Sequence, residues 1–348
     1  MQKGQGQAAS LCQGALAREC EGSDLPIMRA IRITAPGGPE VLRVEDVPCP
    51  APASREVLVK IEAAGVNRAD LLQRQGGYPP PPGTVEDIPG LEVAGVVVER
   101  GWEVDEWHVG ARVMGLLAGG GYAEFVAVPA AHVLEVPDGW SWEEAAAVPE
   151  VFLTAHDAFE RVALRTGERV MIHAVGSGVG VALLLLAKAT GCTVAGTSRN
   201  AEKLGKARER GLDHGVLVEG VFEPSPDYLE WADVVCDLVG GGYVPGDLAA
   251  AAPRGRIIVI GLTGGRSSEI DLGLLLRKRL TVMGTVLRNR SSEEKSALVR
   301  SFREHVLPRM QAGALKPVLD RVFPMSEAAE AHRYMGDNRN FGSIVLRW

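Results

Sequence analysis

The chain has 348 residues and a mass of 37.0 kDa, which at roughly 100 to 200 residues per domain predicts about two domains. Its 46% hydrophobic and 23% charged residues match globular averages, so neither wholesale disorder nor a membrane protein is expected. With 37 Lys and Arg against 44 Asp and Glu the net charge is −7, and no dense basic block offers the footprint duplex nucleic acid demands, so nucleic acid is not expected as a partner.

Five cysteines, at 12, 20, 49, 192 and 236, form no C-x-x-C pair and are not followed closely by the histidines of a structural zinc site. Reduced thiols in a cytoplasmic protein are expected. Residues 1–27 lack the apolar core of a secretory signal and read as a loose extension before a start near Met28.

From Met28 short strands alternate with Gly/Pro punctuation: MRAIRITA, VLRVEDV and EVLVKIEAAG, then EVAGVVVERG, ARVMGLL and YAEFVAVPAAHVLEVP. Between them, four consecutive prolines in GGYPPPPG at 76–83 remove backbone donors and dictate a surface loop. The first helix is predicted only at 141–159, opened by a capping box of Ser141 and Glu144. After Thr166 strand and helix alternate: RVMIHA, the apolar helix VALLLLAKATG, CTVAGTS, the helix AEKLGKARERG, then DHGVLV, ADVVCDLV, RGRIIVIG and LTVMGTVL. Such alternation predicts an α/β domain with a doubly wound parallel sheet. Amphipathic helix returns from Ser291, and GSIVLRW closes the chain as a strand.

The strand RVMIHA runs through Val175-Gly176-Ser177-Gly178-Val179-Gly180 into a helix, the context in which backbone N–H groups meet a pyrophosphate. A strict G-x-G-x-x-G is not met, since Val175 and Ser177 hold its first two glycine positions; a plain tight turn is the competing explanation. An NAD site would place an acid at the end of the next strand, yet 196–200 read Gly-Thr-Ser-Arg-Asn. Ser198, Arg199 and Lys203 instead suit a 2′-phosphate, so NADPH is the expected cofactor.

Six ordered segments, GGPEVL at 37–42, GVNRADLLQRQGGYPPPPG at 65–83, GLEVAGVV at 90–97, GGGYAEFV at 119–126, AAAVPEVFLTA at 145–155 and IHAVGSGVG at 172–180, resemble the quinone oxidoreductases of the zinc-free medium-chain dehydrogenase/reductase superfamily, the zeta-crystallin-like group. With IGLTGG and DNRNFGSIVL, they are most similar to the branch of tumour-suppressor-inducible NADPH quinone oxidoreductases. The resemblance implies a GroES-like β domain at 28–150 completed by 288–348, a Rossmann NADPH-binding domain at 151–287, an active cleft between them, no metal, and a homodimer. By position it implies Tyr78 as the active-site tyrosine, Asn67 as an asparagine near the nicotinamide and Ser177 as the phosphate-loop serine; these three are the catalytic candidates. Cofactor contacts are implied for Thr154, Gly176, Gly178 and Val179, for Gly261, Leu262, Thr285 and Leu287, and for Asn340. Leu185 and Ser343 depart from the family pattern, which usually has Gln and Lys there.

The activity so implied is NADPH-dependent reduction of quinones, ortho-quinones foremost, with no membrane partner. His173 reads as a packed histidine and Asp237 as a cap or turn residue. Two alternatives share these residues: an NADPH-dependent reductase of enones, 2-alkenals or enoyl thioesters, and an NADPH-binding protein with little turnover.

Overall fold

The computed structural model describes residues 26–348; most of the N-terminal extension expected at 1–27 lies outside them. The first strands and helices are β1 (Ile27–Ile33), β2 (Leu42–Pro48), β3 (Glu56–Val66), α1 (Arg68–Arg74), β4 (Glu92–Arg100), β5 (Arg112–Leu116), β6 (Phe125–Pro129), β7 (Val133–Glu135), α2 (Trp142–Ala146) and α3 (Pro149–Arg161). Next come β8 (Arg169–Ile172), α4 (Gly178–Ala189), β9 (Thr193–Ser198), α5 (Ala201–Glu209), β10 (His214–Leu217), β11 (Ala232–Asp237), α6 (Val244–Ala250), β12 (Ala251–Val259), α7 (Leu272–Lys278) and β13 (Thr281–Gly284). The chain ends with α8 (Ser292–His305), α9 (Leu307–Gln311), β14 (Leu319–Pro324), α10 (Ala328–Gly336) and β15 (Ser343–Arg347). These elements form two compact units, one holding the described residues up to Glu150 with Arg288–Trp348, the other Val151–Leu287.

The first unit is mainly antiparallel β. Its large sheet runs β14-β15-β3-β4-β5-β7, with β6 also pairing β3, while β1 and β2 form a separate ribbon. β3 is central because its apolar residues Val57, Leu58, Val59 and Ile61 are all buried, with Val128, Tyr122 and Leu346 in the same core. Each fully buried aliphatic side chain of this kind stabilises by about 1.5–3 kcal/mol. At the entry to β4, Gly90 has φ +106°, and a Cβ there would lie 2.7 Å from Gly121 Cα, so glycine alone fits.

The second unit is a six-stranded sheet in the order β10-β9-β8-β11-β12-β13, every pairing parallel. Numbered from β8 this is the 3-2-1-4-5-6 order of a doubly wound dinucleotide fold, whose ligand crevice lies where the order reverses, between β8 and β11. Helix α4 buries Val181, Leu183, Leu184 and Ala187 against the sheet, which is why it is apolar nearly all round.

The expected elements are present with four corrections. The single helix predicted at 141–159 is two, α2 and α3, because Pro149 has no N–H to continue the first and instead starts the second. The segment RADLLQR forms α1, ahead of the predicted first helix. Helices α6 and α7 also had no counterpart in the sequence pattern, both being only seven residues long. The strand predicted across RVMIHA stops at Ile172, since Ala174 takes φ +49°.

Candidate functional site

In the second unit the chain leaves β8 in a turn held by Val175 N donating to Thr197 O at 3.0 Å. Ser177 then caps α4, its Oγ accepting from Gly180 N at 3.1 Å. Gly178 and Val179 therefore occupy the first helical positions, whose N–H groups have no carbonyl of their own helix to bond. A Cβ on Gly180 would lie 2.4 Å from Ala174 O, so the last glycine of the loop is required for the helix to sit this close. The turn places the capped, positively polarised end of α4 at the carboxyl edge of the sheet.

The end of β9 carries Ser198, buried, with its Oγ accepting from Asn200 N at 3.1 Å, and then Arg199, exposed. Asn200 Oδ1 caps α5 by accepting from Glu202 N at 2.8 Å and Lys203 N at 3.4 Å. The nearest following acid, Glu202, is exposed and paired with Lys206 at 2.8 Å. Gly261 and Leu262 follow β12, and Thr285 follows β13, so all these positions share one edge of the sheet. The Thr285 hydroxyl donates to Asp157 Oδ2 at 2.6 Å, and its N–H donates to Val259 O at 3.0 Å. Leu287 is buried, and Thr154 is a half-buried residue of α3. His173, fully buried, bonds Thr197 Oγ1 at 2.9 Å and Asp247 Oδ1 at 2.6 Å, while Asp237 Oδ1 accepts from Val239 N and Gly240 N as a turn residue does.

In the first unit Asn67 and Tyr78 belong to one polar cluster. Asn67, at the start of α1, donates from Nδ2 to Glu92 Oε1 at 2.8 Å, and Glu92 Oε2 accepts from Glu150 N at 2.8 Å. Asp70, fully buried, accepts from Asn67 N, Gly90 N and the Tyr122 hydroxyl, and burial pushes its carboxyl up to about 6. The Tyr122 hydroxyl also bonds His332 Nε2 at 3.2 Å; burial beside Arg74 lowers His332 to about 3. Arg288, buried, ties the proline loop down: it donates to Tyr78 O at 3.1 Å, Ala118 O at 2.8 Å and Gln73 Oε1 at 2.6 Å. Its guanidinium stands 5.2 Å from the Tyr78 ring centre. Burial raises the Tyr78 phenol above its ordinary value, and the Glu150 carboxylate adds to the rise. Asn340, also in this unit, is buried and spends its side-chain N–H on Gly342 O at 2.8 Å, the role of a turn residue.

Glu92, Glu150, Asp70 and Arg288 are absent from the sequence-based candidates. The signal available was an acid inside an apolar run, as in LEVAGVVV and AAAVPEVFL.

Residues 53–138 match the alcohol dehydrogenase GroES-like domain and residues 178–303 the zinc-binding dehydrogenase domain. The rat synaptic vesicle membrane protein VAT-1 homolog is 32% identical over 92% of this chain and 84% of its own. The mouse quinone oxidoreductase is 30% identical over 88% of this chain and 93% of its own.

The chain belongs to the medium-chain dehydrogenase/reductase superfamily.

As a member of that superfamily of oxidoreductases it combines the GroES-like β domain and the Rossmann domain that the sequence resemblance implies. Among solved superfamily structures, a mycobacterial protein in complex with NADPH is 29% identical, covers 92% of this chain and 100% of its own, and superposes with a TM-score of 0.79. No helix among the described residues is long and apolar enough to cross a membrane.

Proposed function

We propose that this chain is an NADPH-dependent reductase of quinones, acting without a metal, with the second unit holding the cofactor and the first handling the acceptor. The observation that carries the cofactor half is the carboxyl edge of the second sheet, where the Ser177-capped α4 offers N–H groups to a pyrophosphate and β9 ends in Ser198 and Arg199 rather than an acid. NADPH, when bound, supplies the reducing equivalents. Gly176, Gly178 and Val179 would cradle its pyrophosphate, Ser198, Arg199 and Lys203 its 2′-phosphate, and the Gly261–Leu262 and Thr285 main chains its nicotinamide half. Thr154, Leu287 and Asn340 are proposed as flanking contacts, one Asn340 amide N–H being spent on Gly342 O.

The chain's part in the reaction is to orient, exclude water and place a proton. The half-buried Tyr78, held by Arg288, offers an aromatic face for a flat acceptor and a phenol kept protonated by burial. Asn67 is held in orientation by its Nδ2 donating to Glu92. The name of the mouse relative favours a quinone acceptor over an enone or enoyl thioester. For the assembly we propose a homodimer through the outer edge of β13, an end strand of the sheet; in α7, which precedes it in the chain, Leu272 and Leu276 are 66% and 73% exposed.

The test follows cofactor oxidation with ortho-quinones, para-quinones and 2-enals, NADPH against NADH, in wild type and Arg199→Glu. Quinone turnover that prefers NADPH, with the preference reduced at least tenfold in Arg199→Glu, supports the reading. Turnover confined to 2-enals moves the assignment to a double-bond reductase, and NADPH binding without turnover favours a binding protein.

A further inference from the structure

Glu150 is an acid where the sequence is otherwise apolar, between Val148 and Val151 at the start of α3. Its backbone N–H is fixed by Glu92, so the side chain leaves the main chain at a defined point. Its Oε2 is buried and has no hydrogen-bond partner among the described residues. A carboxylate in that position would leave a charged oxygen unsatisfied, whereas a carboxylic acid carries a proton it can donate. Charged groups from several elements act on it: Glu92 on β4 and Asp70 on α1 oppose its ionisation, while Arg288, ahead of α8, and Lys295, on α8, favour it. The Tyr78 ring lies within the field of the same carboxyl. The cluster thus unites the proposed substrate-facing tyrosine with an acid that nothing else in the fold uses.

We propose that Glu150 is the proton donor of the reduction, a role that rests on the quinone reductase reading above. One carbonyl oxygen of the quinone takes the carboxylic proton while the ring accepts a hydride equivalent from NADPH. The O–H bond of Glu150 breaks, an O–H bond forms on the acceptor, and solvent restores the proton. NADPH, quinone and one proton become NADP⁺ and hydroquinone. Burial, with Glu92 and Asp70 nearby, raises the carboxyl to about 8, which keeps the acid protonated at neutral pH and close enough to neutrality to turn over.

Two measurements test the role. Difference infrared spectroscopy of the protein without cofactor should show a protonated carboxyl that titrates near pH 8 and is missing in Glu150→Gln. Kinetically, Glu150→Gln should lower kcat about 10²-fold or more and remove the alkaline limb of the pH profile, with NADPH affinity by fluorescence unchanged; Glu150→Asp should recover part of kcat. Far-UV circular dichroism of both variants confirms folding. Undiminished quinone turnover in Glu150→Gln, or no protonated carboxyl at neutral pH, overturns the role alone. Absence of quinone turnover in the wild type overturns the functional reading and the role with it.

Discussion

Asn67 and Glu92 meet through a single hydrogen bond of 2.8 Å, and the remaining oxygen of that carboxylate holds the first turn of α3 through Glu150 N. One side chain from β4 therefore sets both the asparagine orientation and the origin of the helix. Asn67→Ala removes a donor from a buried carboxylate and should lower stability by about 1–3 kcal/mol. Asn67→Asp should cost more, because it sets a second carboxylate against the first. Denaturant midpoints of the two variants at neutral pH check both the size and the order.

Ser177 has a local job independent of any ligand. Its Oγ satisfies Gly180 N, so Ser177→Ala should destabilise by about 0.5–2 kcal/mol, whereas Ser177→Thr keeps the cap and most of the stability. Measuring NADPH affinity alongside denaturation separates the cap from the cofactor contact: the threonine variant should retain both, the alanine variant neither in full.

Arg288 joins three parts of the first unit, the proline loop at Tyr78, Ala118 and Gln73 of α1. Arg288→Met strands these acceptors and removes the positive charge beside Asp70 and Glu150, with an expected cost of about 3–5 kcal/mol. Arg288→Lys should not restore it, because an ammonium cannot reproduce the planar fork. Thermal midpoints of both variants, with proteolysis mapped to 76–83, give the check.

Stability should vary with pH in a defined window. Asp70, raised to about 6, and Glu150, raised to about 8, both hold protons in the folded chain that the unfolded chain releases near 4, so their stabilisation is complete in acid and lost as pH rises through those values. His332, lowered to about 3, works in reverse: its contribution is complete above the ordinary histidine value and lost as pH falls through 3. Of these three, Glu150 alone still changes between about pH 6.5 and 8. Stability should fall across that interval in the wild type and stay level in Glu150→Gln, as thermal midpoints at fixed ionic strength will show.

Much of the second unit was legible because hydrophobic period and glycine placement act locally. The helix over 181–191 and the loop after β8 both depend on neighbours within a few residues. The first unit was legible as strands but not as a site. Asn67 and Tyr78 could be named from motifs, yet their partners Glu92 and Arg288 come from distant segments, and no local pattern encodes such pairings. The short helices α1, α6 and α7 escaped for a related reason, since about two turns of helix are stabilised by packing rather than by propensity.

The placement of β15 bears on how the chain comes to be folded. It lies between β14 and β3, pairing Ile344 with Val66, so the middle of the larger sheet waits for the last strand to be made. The second unit is an uninterrupted stretch and is complete much earlier in synthesis. During vectorial synthesis the Rossmann domain can therefore close on its own contacts, while the Ala63–Val66 end of β3, beyond its pairing with β6, stays an open edge until residues 343–347 emerge. Closure of that sheet is the strand pairing of greatest sequence separation, the kind of contact whose loop-closure entropy makes a folding step slow.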